Sequence, residues 1–448
     1  MDDRLEALTG ALLAAASRAG ADAADAIAVD GRAVSIDVRV GLLEQAERSE
    51  GIEIGLRVLI GGRQACVSAS DVSDRTVGEM AERAVAMARE APADPYAGLA
   101  DADQLARSWN LAALELEDPA EEPAADVLQD DARRAEAAAL AVAGVAQVQS
   151  ASASYSRRRL FIAASNGFSG GYGRTSRSVS AVAISGEGSS MERDWAAEAR
   201  VFQADLPSAE SVGTLAGQRA AERAGARRPP TGAYPVLFDE RIAGSLIGHL
   251  LSAINGTSIG RGASWLRDAL GEQVLPAGLS LIEDPHRPRI SGSRPFDAEG
   301  LPTRPRNIVD KGVLTGWTLD LATARKLGMQ STGSASRGTS SPPSPGVSNI
   351  ALTQGSQSRE ELLREMGTGL LITSLIGASI NPTTGDYSRG ASGFWVENGQ
   401  IVAPVNECTV AGTLREMLRR ITPANDARTY LSHVVPSLLV EGLTLAGS

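Results

Sequence analysis

Histidine and cysteine supply most protein ligands for zinc, and this sequence contains only three histidines and two cysteines. A zinc hydrolase typically carries two histidines one helical turn apart, with a glutamate beside the first that activates the bound water. Here even the two histidines nearest in sequence, His249 and His286, are too far apart to lie one turn apart on a helix. The residues alone therefore predict no zinc site, and they favour His249 as a buried histidine bonded to a carbonyl.

The other soft side chains also lack the neighbours that chemistry would need. His286 follows two carboxylates, but Pro285 breaks any helix there and predicts a loop. His433 lies in a strand-like tail. Cys66 and Cys408 lie in strand-like segments without an adjacent histidine or lysine, which predicts buried structural thiols.

Residues 383–399 concentrate unusual side chains between glycines, including Asp386, Arg389, Phe394 and Trp395. One interpretation is a glycine-kinked strand in which an Asp386–Arg389 pair holds a turn and an aromatic ring enters the core. The other is a strand edge along which a peptide backbone could lie. The residues alone favour the first.

Composition limits the classes of partner. The formal net charge of −11 and the pI of about 5.0 argue against binding nucleic acid or an anionic membrane surface. The three arginines at 157–159 are accordingly predicted to lie in a solvated turn. Two isolated cysteines fit a reducing compartment, and no stretch reaches the ~20 apolar residues of a membrane helix. We therefore expect a cytoplasmic protein.

Residues 1–225 predict an N-terminal α+β domain of helices and antiparallel strands. Leu5, Leu8 and Leu12 repeat at helical spacing, residues 34–40 alternate as in a strand, and Ser73 can cap a helix. Further predicted elements are strands at 52–58 and 65–69, a helix at 124–143, a hairpin at Asn166-Gly167 and a helix at 208–224.

Residues 230–448 predict a β-rich barrel or sandwich around one buried helix. Asp239 can cap that helix, whose apolar residues cover nearly its whole circumference, and Asn255-Gly256 is expected to end it. Short strands with glycine and proline turns follow, and the Ser/Gly/Pro-rich residues 332–345 predict a mobile segment.

Residues 384–399 (TGDYSRGASGFWVENG) resemble the signature of the TldD/PmbA family, and specifically its PmbA (TldE) branch. The likeness extends over most of residues 230–448 and, more diffusely, over residues 1–225. Its other motifs are PFDAEG at 295–300, ARKLG at 324–328, EMGTG at 365–369 and LTLAG at 443–447.

The resemblance implies a subunit of a cytoplasmic zinc metalloprotease that is built from two related chains and cuts unfolded peptides. The TldD-type chain carries a His-Glu-x-x-x-His helix and a C-terminal cysteine ligand. This sequence has Gly244 at the first ligand position, Ser245 at the base position and only His249 at the second ligand position, and its tail from Asn425 onward has no cysteine. The motif is degenerate, so no catalytic or metal-binding residue can be carried over.

The resemblance thus predicts a partner subunit that holds no cofactor of its own and pairs with a zinc-bearing TldD-type chain. His249, Asp386, Arg389 and Trp395 are the predicted lining of a peptide channel, in which peptides would be captured by strand addition. Two alternatives stay open: a non-catalytic homodimer that binds peptides, and an independent hydrolase with a metal held by His249 and acidic residues.

Overall fold

The structure, a computed structural model, describes residues 3–447, with the side chains of residues 189 and 378 left aside. The first half consists of α1 (Asp3–Ala19), β1 (Ala23–Arg39), β2 (Leu42–Ile60), β3 (Arg63–Ala69), α2 (Asp74–Glu90), α3 (Leu111–Leu114), α4 (Ala125–Leu140), β4 (Val145–Ala164), β5 (Ser169–Ser185), β6 (Glu192–Arg200) and α5 (Ala209–Glu222). None of the helices within residues 3–447 combines the length and apolar character that crossing a membrane requires.

The strands of the first half form one antiparallel sheet in the order β3-β2-β1-β4-β5-β6. Successive strand residues point to opposite faces, and one face is covered by helices. Ala26 of β1 packs in the core with α1 and α2, and Ile36, on the same face, packs with α4 and α5. Ser73 caps α2 by accepting the Thr76 N–H at 3.3 Å, and β4 and β5 form the hairpin at Asn166-Gly167, as predicted.

The second half consists of β7 (Gly232–Phe238), α6 (Glu240–Ala253), α7 (Gly256–Gly260), β8 (Leu281–Glu283), β9 (Arg306–Asp310), β10 (Val313–Leu314), α8 (Leu321–Leu327), β11 (Ala335–Ser336), β12 (Ser344–Pro345), β13 (Ile350–Leu352), α9 (Arg359–Met366), β14 (Gly369–Ile380), β15 (Asp386–Glu397), β16 (Gln400–Thr413), α10 (Leu414–Arg419), β17 (Ile421–Pro423), β18 (His433–Val434) and β19 (Leu438–Ala446).

Five of these strands close into a barrel. They are ordered β16-β15-β14-β7-β19, and β19 pairs back onto β16 through Val410 and Leu445. A smaller sheet, β10-β9-β8-β13-β18, shares its core with α6 and the barrel interior. The predicted α+β class is therefore confirmed, and the closing β16–β19 pairing makes the second half a barrel rather than a sandwich.

Three local predictions are corrected by the structure. Helix α6 ends at Ala253, and Asn255 caps the next helix, α7, by accepting the Thr257 N–H at 3.0 Å. The arginines at 157–159 lie inside strand β4 rather than in a turn. The 332–345 segment is held against the first half, because the fully buried side chain of Arg337 pairs with Asp25.

Candidate functional site

Helix α6 carries the residues of the degenerate motif. Asp239 begins the helix by accepting a hydrogen bond from the Arg241 N–H at 3.1 Å. The apolar residues of α6 face the shared core, so at 3.6 residues per turn Gly244, Ser245 and His249 fall on its other side, where they are only half-buried. The prediction of an apolar surface around nearly the whole helix is therefore wrong on this side.

This open side of α6 borders a cavity of about 380 Å³, which we call the cleft. Gly244 and Ser245 form one wall, and Thr373 of β14 and Arg389 of β15 form another. Trp195, on the edge strand β6 of the first half, contributes a further part of the lining. The cleft therefore exists only where the sheet of the first half packs beside the barrel.

Several buried polar atoms in and beside the cleft make no hydrogen bond within the described part of the chain. They are Ser245 Oγ, Thr373 Oγ1, His249 Nε2 and the Tyr387 hydroxyl. A buried polar group left unpaired costs roughly 1–3 kcal/mol. The cleft is thus lined by donors and acceptors suited to a polar partner.

The electrostatics around His249 favour a neutral imidazole. Its ring meets Tyr387 edge to face, with ring centroids 5.8 Å apart. Burial lowers the pKa of His249, and the positive charge of Arg389 lowers it further. Burial also raises the pKa of Tyr387 to about 12, so the phenol stays protonated at neutral pH.

The residues of the cleft do not fit a zinc ion. Of the three motif positions only His249 offers a ligand atom, and the guanidinium of Arg389 beside it would repel a divalent cation. Within residues 3–447, no group of three or more His, Cys, Asp or Glu side chains is arranged to hold a metal ion.

The other soft side chains lie away from the cleft lining. His286 Nε2 is 3.0 Å from Thr303 Oγ1, and His433 lies in the short strand β18. Cys408 is buried, donates to the Ala391 carbonyl at 3.1 Å and has its pKa raised by burial to about 11, as predicted for a structural thiol. Cys66 is half-buried, and burial raises the pKa of its thiol too.

The structure brings two of the four predicted channel residues together. Arg389 lines the cleft beside His249 and donates from Nε to the Gly377 carbonyl at 2.7 Å. Asp386 and Arg389 are three residues apart on one strand, so they point to opposite faces and the predicted pair does not form. Asp386 is exposed and accepts from Thr384 Oγ1 at 2.6 Å.

Trp395, the fourth predicted channel residue, lies in the core instead of the cleft lining. Its Nε1 donates to Glu397 at 3.0 Å and its ring meets Tyr234 edge to face, at 5.0 Å between centroids. Contact of any of the four residues with a peptide stays a prediction.

Sequence reasoning missed the residues that the first half contributes, because their role depends on packing between distant segments. Asp194 of β6 accepts from Arg241 at 3.1 Å and lies 3.7 Å from Arg223, which itself pairs with Glu192 at 3.2 Å. The Asp194–Arg241 pair holds β6 beside the first turn of α6 and so places Trp195 at the cleft, whereas Arg223, at the end of α5, braces β6 within the first half. The only local signal was the alternation of β6.

Comparison with known proteins agrees with this architecture. Three sequence profiles match in order: PmbA/TldA metallopeptidase domain 1 at residues 24–88, the central domain at 117–228 and the C-terminal domain at 231–447. Among solved structures, a candidate modulator of DNA gyrase from Bacteroides thetaiotaomicron superposes with a TM-score of 0.90 at 26% identity and covers 100% of both chains. TldE from Thermococcus kodakarensis has the same fold, with a TM-score of 0.84 at 20% identity over 98% of this chain and 100% of its own.

Curated relatives extend the likeness over the whole chain. It is 36% identical to Metalloprotease PmbA of Escherichia coli O157:H7, over 99% of this chain and 96% of the relative. It is 35% identical to the Metalloprotease PmbA homolog of Haemophilus influenzae, over 97% and 94% of the two chains. The chain therefore belongs to the PmbA/TldD metallopeptidase family.

Proposed function

We propose that this chain is the subunit without zinc in a cytoplasmic metalloprotease complex of the TldD/TldE type. A TldD-type partner would hold the zinc and perform the hydrolysis of unfolded peptides. This chain would complete the peptide-binding surface beside the partner's active site.

The observation that carries the proposal is the chemistry of the open side of α6. Gly244 and Ser245 face the cleft at the positions where the TldD-type motif has a ligand and a base, and Arg389 faces them with a positive charge. A cleft at the position of the motif that lacks zinc ligands fits a role in peptide binding, with the hydrolysis performed by another chain.

The cleft also suits a peptide backbone. Strand β6 is the outer strand of its sheet, so within the described residues one of its two hydrogen-bonding edges pairs with no other strand. Strand addition gives binding that tolerates many sequences, because main-chain hydrogen bonds supply most of the affinity. The unpaired polar atoms of Ser245 and Thr373 offer further hydrogen bonds.

Reconstitution tests the proposal. The chain and a TldD-type subunit would be purified separately, then assayed alone and mixed against a fluorescence-quenched unstructured peptide. We expect that this chain alone cleaves nothing and that the mixture is more active than the TldD-type subunit alone.

Size-exclusion chromatography of the same mixture gives the assembly. A stable complex of the two chains is expected. Recovery of this chain only as a homodimer, with peptide binding but no effect on the TldD-type subunit, would instead favour the homodimeric binding protein. Hydrolysis by this chain alone would favour an independent enzyme.

A further inference from the structure

A second cavity, of about 460 Å³, adjoins the cleft and shares Trp195 and Arg241 with it. Its volume falls within the roughly 300–1,000 Å³ typical of small-ligand pockets. We call it the arginine cavity, and it is lined in part by Ser178, Ser180, Arg200, Arg219 and Arg428.

The floor of the arginine cavity is the face of the sheet that carries no helices. Ser178 and Ser180 of β5 point to this face together with Ala197 and Ala199 of β6, their cross-strand partners. All four side chains are short, and both serines are half-exposed, although the Ser178 hydroxyl already shares a hydrogen bond with Ser154 Oγ at 2.7 Å. The floor therefore offers neutral hydrogen-bond donors beside an edge strand.

The walls are rich in arginine for a protein with a net charge of −11. Five arginines line the cavity, at positions 200, 219, 241, 289 and 428, and Glu198 is the one carboxylate in the lining. A cluster of one sign in a recess raises the local concentration of ions of the opposite sign.

Four of these arginines already have carboxylate partners. Arg200 lies 2.7 Å from Glu198, Arg428 lies 2.7 Å from Glu240, Arg241 pairs with Asp194, and Arg289 lies 2.7 Å from Glu115. These pairs fix the guanidinium groups around the cavity but leave little charge on them to be neutralised by a ligand.

Arg219 differs from the other four. Within the described residues it has no carboxylate within 4 Å, and its Nη1 donates only to the Trp195 carbonyl, at 3.1 Å. Burial and the neighbouring charge of Arg241 lower the pKa of Arg219, and the carboxylates of Asp194, Asp239 and Glu240, all beyond 4 Å, offset this only in part. It is a half-buried guanidinium with donors to spare in the lining of the arginine cavity, next to Trp195, which also lines the cleft.

We propose that the arginine cavity binds a carboxylate of an extended peptide, with the guanidinium of Arg219 as its main partner. Guanidinium groups match carboxylates in charge and in planar, two-pronged geometry. Within the described residues Arg219 has no carboxylate in direct contact and can pair with one, whereas Glu198 in the wall would oppose a doubly charged phosphate. This inference rests on the proposed peptide binding and adds a preference to it.

The carboxylate has two chemical sources, the free C-terminus of a peptide and an Asp or Glu side chain. Four forms of one fluorescein-labelled Gly/Ser/Ala peptide separate them: C-terminal acid or amide, each with Asp or Asn at one internal position. Binding to the full-length chain would be measured by fluorescence anisotropy. We expect at least one acidic form to bind about tenfold more tightly than the doubly neutral form, a difference of ~1.4 kcal/mol.

Substitutions locate the preference. Arg219→Gln should abolish the difference between acidic and neutral peptides while leaving the weak binding of the neutral form. Arg219→Lys keeps the charge and should keep part of the preference. Arg75→Gln is the matched control, because it removes one charge from the exposed face of α2 and should change nothing.

The peptide series on the unsubstituted chain is decisive even if a variant fails to fold. Equal binding of all four peptides, binding of none, or stronger competition by inorganic phosphate than by acetate would overturn the carboxylate site. The reconstitution assay uses other readouts, so failure of this site leaves the subunit proposal standing.

Discussion

Two clusters of ion pairs connect the sheet of the first half to the second half, and they differ in how many carboxylates compensate their arginines. The Asp25 cluster joins Asp25, Arg57 and Arg337, whose side chains are all almost fully buried. The Asp194 cluster joins Asp194, Arg223 and Arg241, and the last of these also lines the cleft and the arginine cavity.

The two clusters differ in how their charges are compensated. In the part of the chain that the structure describes, Asp25 is the one carboxylate that pairs with either guanidinium. Burial alone would raise its pKa, but Arg337 and Arg57 hold that pKa below its ordinary value. In the Asp194 cluster every arginine has a second carboxylate, Glu192 for Arg223 and Asp239 for Arg241. The first cluster therefore depends on a single residue for stability, whereas the second spreads its charge and positions a binding surface.

Replacing Asp25 should have the largest effect. Asp25→Asn would leave two buried guanidinium groups without a countercharge, and breaking a buried pair in this way costs ~3–5 kcal/mol. Urea unfolding would measure the loss. A change below about 1 kcal/mol, the range of exposed pairs, would contradict the contrast between the clusters.

Tight packing beside the Asp25 cluster predicts the next effect. A Cβ at position 55 would lie 2.1 Å from the Thr339 carbonyl oxygen, so Gly55→Ala must displace the segment that carries Arg337. We expect a loss of ~1–3 kcal/mol in the free energy of unfolding. Gly51→Ala is the control, since a Cβ there meets nothing within 4 Å. Equal effects of the two substitutions would show that the segment is not held against β2.

Asp194→Asn should cost less than Asp25→Asn, about 1–2 kcal/mol, because each arginine keeps another partner. Its main consequence should instead be weaker peptide binding, since Trp195 and Arg241 lose their support. Unfolding and peptide anisotropy would be measured on the same sample. Loss of stability equal to that of Asp25→Asn would erase the distinction between the clusters.

Two buried acids, Asp25 and Glu299, should change the stability of the protein with pH in opposite directions. Because its pKa is lowered by folding, Asp25 contributes stability above its ordinary pKa of 3.8 that is lost as the pH falls through the lower folded value. Buried Glu299 acts in the opposite sense: burial, Asp297 and Asp320 raise its pKa well above 4.5, so stability declines as the pH rises from 4.5 through the raised value.

Glu299→Gln should therefore be more stable than the parent chain at neutral pH and equal to it at pH values below 4.5. Glutamine can still accept the Leu321 N–H, which Glu299 accepts at 2.8 Å. Thermal unfolding across the pH range would check this. A variant that is less stable at neutral pH would show that the charged carboxylate is needed there.

A substitution in the cleft should have the smallest effect on stability. Arg389→Gln removes the nearby charge that lowers the pKa of His249, so that pKa should rise while the unfolding free energy stays nearly constant. NMR titration of the His249 ring would show it. An unchanged pKa would mean that burial alone sets the protonation of His249.

Local patterns were predictable from sequence and distant contacts were not. Ser73 and Asp239 cap helices through neighbours two or three residues away, so their roles follow from the residues around them. Arg337 sits in a Ser/Gly/Pro-rich stretch that predicts mobility, but its partner Asp25 is 312 residues away. No local pattern contains that contact.

In the candidate site, too, residues of one local motif were predictable and residues brought in by distant packing were not. The motif on α6 located Gly244, Ser245 and His249 on one side of one helix. No sequence pattern indicated Trp195 and Arg219, because they belong to the first half and line the cavities only through packing of the sheet against the barrel. The composition of residues 384–399 indicated a candidate site, but the alternation of side chains along the strand places Asp386 and Arg389 on opposite faces.

We propose that this member of the family binds peptide and that a partner subunit holds the zinc. Elemental analysis of the purified chain, alone and in complex with a TldD-type subunit, measures where the zinc is bound. We predict no stoichiometric zinc in the isolated chain and one zinc per pair of chains in the complex. One zinc per isolated chain, with peptidase activity that a chelator removes, would contradict it.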